Sequence, residues 1–96
     1  MSEPTGWTFL TNHAHVLFCI ARDPDVRLRD VAAKVAITER AVQRIVTDLE
    51  TQGYLTVSKE GRRNRYQVND GLSLRHGIER HVPIKALIDL VVGGQE

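Results

Sequence analysis

The order of hydrophobic periodicities along the chain predicts a mainly α member of the α+β class. Three observations carry that reading. Three successive stretches place apolar residues at helical spacing, the pattern then changes to β-branched alternation between Tyr54 and Val68, and helical spacing returns after Pro83. The predicted architecture is a three-helix core, a two-stranded hairpin and a C-terminal helix, in one domain spanning residues 1–96.

The first helix begins at Thr11, a good N-cap type, and runs to about Ala21, with Ala14, Leu17, Phe18 and Ala21 as its apolar stripe. Val16, Cys19 and Ile20 fall off that stripe, so this helix is apolar nearly all round and needs cover on more than one side. Asp23-Pro24-Asp25 ends it as a turn, and Val26 to Leu28 is expected to form one short strand. The second helix fits Arg29 to Val35, with Val31, Ala32 and Val35 at helical spacing. Ala36-Ile37 is a tight connection, and Thr38 caps a third helix that carries Val42, Ile45, Val46 and Leu49 on one face and stops at Gly53.

Strands are expected at Tyr54 to Ser58 and Tyr66 to Val68, joined by a mobile, basic tip from Lys59 to Arg65. Pro83 suits the first position of the last helix, whose stripe is Ile84, Leu87, Ile88 and Val91. Leu72 to His81 has no readable periodicity, because Gly77 interrupts any helix there. Residues 1–5 and 93–96 are expected to be loose.

Composition excludes more than it assigns. The 42% hydrophobic and 26% charged shares are those of an ordinary globular protein. Thirteen Lys and Arg nearly balance twelve Asp and Glu, leaving a formal charge of +1, so any affinity for nucleic acid rests on where the cations sit. Cys19 is the one cysteine, which excludes an internal disulfide and a multi-cysteine zinc site and fits a reducing cytoplasm. It reads as a buried, inert thiol. No apolar run approaches the roughly 18 residues of a membrane span. Residues 1–6 lack the basic start and apolar stretch of a secretory signal, so a cytoplasmic protein is expected.

There is no phosphate-cradling glycine loop, nucleophile motif or recognisable carboxylate pair, so no enzyme, no catalytic residue and no cofactor are expected. His13 and His15 lie two apart on a helix and do not share a face, so no metal site is expected either.

Helix, helix, helix, hairpin is the order of a winged helix-turn-helix, and its chemistry lies on one helix face and one loop. A helix-turn-helix needs a small residue where its helices cross, met by Ala32 and Ala33, and an apolar turn residue, met by Ile37. With about 100° per residue, Arg40, Arg44 and Thr47 fall opposite the apolar stripe of the third helix, with Gln43 on the flank. Those types read bases: Arg forks onto guanine O6 and N7, Gln onto adenine N6 and N7, and a Thr methyl meets thymine. The tip from Lys59 to Arg65 carries four bases and one acid in seven positions. Arg62, Arg63 and Arg65 there can reach phosphates or a minor groove, and Asn64 can add a hydrogen bond or favour the turn. Solvated helix positions, or charged edges that discourage aggregation, would explain either feature alone. The two together are a specific signal for double-stranded DNA.

Val31-Ala32-Ala33-Lys34-Val35-Ala36-Ile37-Thr38, followed by Val42, Ile45, Leu49 and Gly53-Tyr54-Leu55, resembles the core of MarR-type winged helix-turn-helix regulators, and more loosely ArsR-type ones. The likeness covers roughly residues 28–68, including the Gly61-Arg62-Arg63-Asn64-Arg65-Tyr66 wing. It implies that Thr38, Arg40, Gln43 and Arg44 lie in the major groove and Arg62 to Arg65 on the backbone or minor groove. It also implies a cytoplasmic transcriptional regulator that works as a homodimer built from its first and last helices, here residues 7–21 and 83–92. Two departures stand out. The turn residue, commonly glycine, is Ala36, which implies some strain. The chain is also shorter than a full MarR-type protein and lacks much of the helical dimerisation region, so the resemblance assigns no small-molecule effector.

The expected function is sequence-specific DNA binding by a dimer at a pseudo-palindromic operator, with half-sites about one helical turn apart. Its rival is a winged-helix module that binds proteins and not DNA. Arg62, Arg63 and Arg65 together separate the two, since an interaction module has little use for them. Trp7 and Phe9 are expected to pack under the first helix or across a dimer interface.

Overall fold

A computed structural model describes residues 6–93. Its elements are α1 (Asn12–Arg22), α2 (Leu28–Val35), α3 (Glu39–Thr51), β1 (Leu55–Glu60), β2 (Arg63–Val68) and α4 (Ile84–Val92). The expected architecture is met: four helices and one antiparallel hairpin. The expectation for residues 1–5 and 94–96 lies outside the described residues, while Gly93 closes α4 as its C-cap.

The fold is organised around α1. Thr11 Oγ1 accepts from the Ala14 N–H and starts the helix. Val16, Leu17, Phe18 and Ile20 are buried on different sides of it, and α2, α3, α4 and β2 supply the cover. Val16, Leu17 and Ile20 form one continuous core with Val31 and Ala32 of α2, Val42, Ile45, Val46 and Leu49 of α3, Tyr54 ahead of β1, Leu55 and Tyr66 of the hairpin and Ile84 of α4.

The strand expected at Val26 to Leu28 does not form. Asp23 accepts from Asp25 N and Val26 N through its side chain and carbonyl, which folds the chain back in an Asx turn. The Arg27 carbonyl is taken by the first turn of α2, through Asp30 N at 2.9 Å and Val31 N at 3.1 Å. What remains of a third strand is one bond, Tyr66 N to Pro24 O at 3.0 Å, which seats the α1–α2 turn against the outer edge of β2.

The wing is longer and more ordered than its sequence suggests. Leu55 pairs with Val68 and the register continues to Glu60 opposite Arg63, leaving only Gly61-Arg62 as the turn. Gly61 has φ +66 and Arg62 does not share that sign, the pattern of a II′ hairpin turn that requires glycine first. Arg63, Asn64 and Arg65 are therefore strand residues and not a mobile tip. The reason is the register: once Leu55, Val57, Tyr66 and Val68 face the core, period-two pairing carries the ladder out to the tightest turn available.

The unread segment after the wing is an Ω-type loop closed at its neck. Leu74 N donates to Val82 O at 2.9 Å, Ile84 N to Leu72 O at 2.7 Å, and Ser73 bridges Pro83. The Tyr54 hydroxyl donates to the Ser73 carbonyl and ties that neck to the start of the wing. Pro83 precedes α4 by one residue, one position earlier than expected, and acts as its N-cap. Ile84 is buried on the core, Leu87, Ile88 and Val91 are half-buried, and Leu90 is 76% exposed. Among the described residues no helix is long and apolar enough to cross a membrane.

Candidate nucleic-acid interface

The α2–α3 turn sets the angle at which α3 projects. Ala36 adopts the left-handed conformation, φ 68 and ψ 45, and Ile37 N reaches back to Ala32 O at 3.1 Å in the six-to-one bond of a Schellman ending. The strain anticipated at Ala36 is thus real, since a Cβ in this region meets the following carbonyl. Ala32 is the small residue at the crossing, being buried, whereas Ala33 is exposed. Thr38 then caps α3, its Oγ1 accepting from Ala41 N at 3.0 Å. The far end of α3 closes on Gly53, φ +90, with Tyr54 N bonded to Leu49 O and Gly53 N to Glu50 O.

Between those ends α3 divides cleanly. Val42, Ile45, Val46 and Leu49 are buried, and Arg40, Gln43, Arg44 and Thr47 are exposed. Arg40, Gln43 and Arg44 surround a shallow notch shared with Glu39. Glu39 suits the positive end of the helix dipole, so its place in the first turn has a structural cause. Asp48, the other acid that could oppose phosphate, is held on the flank by His13 Nε2 at 2.9 Å. Thr38 spends its acceptor on the cap and keeps a hydroxyl proton to donate.

The wing cations fall into two sets. Lys59 and Arg62 are exposed and have no hydrogen-bond or ion-pair partner among the described residues. Arg63 Nη2 donates to the Asp25 main-chain oxygen, and Arg65 Nη1 lies 3.3 Å from the Asp25 carboxylate. Asn64 faces Lys59 across the ladder, on the side that carries Tyr66 and Val57 further in. Asp25 has no signature beyond a turn residue, and its partners lie 38 and 40 positions away.

Two other groups were singled out in the sequence. Cys19 is half-buried, and desolvation pushes its thiol above the ordinary value, with Lys34 and Arg22 opposing more weakly. It is therefore a neutral thiol and a poor nucleophile at neutral pH. Trp7 and Phe9 do not pack under α1. Their rings meet edge to face at 4.8 Å and stand 71% and 91% exposed. Among the described residues no three His, Cys, Asp or Glu side chains come together to hold a metal ion.

An αL turn between α2 and α3, an α3 with one buried and one exposed face, and an antiparallel wing define a winged helix-turn-helix domain. A family model described as MarR family matches residues 7–64, more than half of the 96 residues, and the chain belongs to the MarR family. Among solved structures, the crystal structure of the zinc-dependent MarR family transcriptional regulator AdcR in the Zn(II)-bound state is similar in fold. The TM-score is 0.52 at 24% identity, over 73% of this chain and 50% of that one. The chain thus spans about half the length of that regulator. No curated protein matches the chain.

Proposed function

We propose that this domain binds double-stranded DNA with sequence preference and serves as a cytoplasmic transcriptional regulator, acting as a homodimer on a pseudo-palindromic operator. The exposed face of α3 carries the reading. Arg40, Gln43, Arg44 and Thr47 are all solvent-facing on a helix whose opposite face is wholly in the core. A major groove about 12 Å wide admits such a helix, and these side-chain types match base edges. Membership of the MarR family supports the same reading. Thr38 at the cap is assigned to the major groove with the α3 face, and Arg62, Arg63, Asn64 and Arg65 on the wing to the backbone or the adjacent minor groove.

The dimer is assigned to the α1 and α4 side, residues 7–21 and 83–92. Trp7, Phe9 and Leu90 expose large apolar surface there, and Ile78, 81% exposed, adds more on the loop that precedes α4. Two-fold symmetry then sets half-sites about 34–36 Å apart, one turn of the duplex.

The test is retention on random duplex at low salt with loss toward physiological salt, followed by sedimentation with and without duplex. Retention, with two protomers per bound duplex, supports the reading. Passage through the duplex column at low salt would favour the protein-binding module and overturn it.

A further inference from the structure

The contact between Asp25 and the wing is built, not incidental. Tyr66 N bonded to Pro24 O fixes the α1–α2 turn beside β2, and the Asx turn on Asp23 fixes the Asp25 backbone. Arg63 and Arg65 lie two apart on β2 and so share a face, which turns both guanidinium groups to the same turn. Asp25 offers them a main-chain oxygen and a carboxylate, with Arg65 Nη1 at 3.3 and 3.5 Å from the two carboxylate oxygens. An oxygen pair facing a guanidinium is also what a DNA phosphate presents.

We propose that Asp25 is a specificity-determining residue that acts as an internal stand-in for phosphate. It occupies Arg63 and Arg65, so the wing meets an arbitrary duplex with Lys59 and Arg62 alone, and it yields Arg65 only where the duplex also fits α3. This rests on the DNA-binding reading above. Sequence-independent affinity scales with the number of phosphates neutralised, so withholding wing cations lowers binding to random DNA. An ion pair whose partners are 49% and 55% exposed is weak. It therefore gives way to a phosphate held in register by base contacts, and specificity, the ratio of the two affinities, rises.

The experiment compares wild type, Asp25→Asn and Asp30→Asn on a random-sequence duplex and on a duplex enriched from a random pool by wild type. Asp30 makes the same charge change on the first turn of α2 and has no ion-pair partner among the described residues. Asp25→Asn keeps the carbonyl that holds Arg63 and frees Arg65. It is expected to bind random duplex roughly 2- to 5-fold more tightly per protomer at low salt. The log–log salt slope should steepen by about 0.9 per protomer, with a smaller gain on the enriched duplex. In an Arg65→Ala background the Asp25→Asn effect should vanish.

Equal behaviour of Asp25→Asn and Asp30→Asn would overturn the proposal. So would weaker binding with a shallower slope, or an effect that survives Arg65→Ala. If wild type itself binds neither duplex at low salt, the DNA-binding reading has failed and this inference fails with it, a result distinct from the other three.

Discussion

His13 Nε2 lies 2.9 Å from Asp48 Oδ2, joining the first turn of α1 to the C-terminal half of α3 across 35 positions of sequence. Both side chains are about half exposed, so the pair is worth little in stability, on the order of 0–1 kcal/mol. Its consequence is local: Asp48, one helical turn after Arg44, is engaged by His13 and makes no ion pair with Arg44 among the described residues. His13→Ala is therefore expected to shift the urea midpoint only slightly. Asp48→Asn is expected to leave the preferred bases unchanged when bound duplexes are selected from a random pool. A changed preference would place Asp48 on the reading face.

The two ends of the helix-turn-helix pair make opposite predictions about glycine. Ala36 sits at φ 68, where glycine is free of Cβ strain, so Ala36→Gly should raise stability by about 0.5–1 kcal/mol despite the looser unfolded chain. Gly53 sits at φ +90 with Leu72 Cδ1 3.4 Å from where a Cβ would stand, so Gly53→Ala should cost about 1–2 kcal/mol. Equilibrium urea denaturation of the two variants checks both signs, and two shifts in the same direction would contradict the assigned turn geometry.

Cys19 makes a pH prediction. Burial raises its thiol above the ordinary value in the folded state only, so unfolded chains lose this proton first as pH rises. A raised folded value contributes stability that is fully present below the unfolded value and is lost as pH climbs through the folded one, in the alkaline range. At mildly alkaline pH the folded protein should react with a disulfide reagent at least about tenfold more slowly than the urea-unfolded chain. Equal rates would mean that Cys19 is neither desolvated nor shielded.

These relationships differ in how far the sequence announces them. The division of α3 is written into Val42, Ile45, Val46 and Leu49 at helical spacing, and the caps at Thr38 and Gly53 are local chemistry within three residues of the backbone they serve. The outer half of the wing is not, because Lys59, Glu60, Arg63, Asn64 and Arg65 have no strand-forming alternation. They pair only because the inner half fixes a register that ends in a Gly61-Arg62 turn. The loop at residues 72–83 is held by main-chain bonds at its neck, which leave no mark on side-chain pattern. Asp25 reads only as part of a turn, and nothing local in the sequence marks Asp48, until the fold brings Arg65 and His13 beside them.

Arg62 and Arg63 separate what the sequence groups together. Arg62, in the turn and without a partner among the described residues, should contribute a phosphate contact outright. Arg62→Ala is expected to weaken all duplexes alike and make the salt slope shallower by about one. Arg63 is engaged by the Asp25 carbonyl, so Arg63→Ala should change that slope less. Titrations at several salt concentrations measure both, and an equal loss from the two variants would mean that the Asp25 contact opens freely.

The central claim is that the exposed face of α3 reads bases, and selection from a random duplex pool with wild type and Arg44→Ala tests it most directly. Wild type should enrich a two-fold-symmetric motif. Arg44→Ala should keep its binding to random duplex while losing preference at one position of each half-site, a discrimination worth about 1–3 kcal/mol. Enrichment of the same motif with undiminished preference at every position, or no enrichment by wild type, would contradict it.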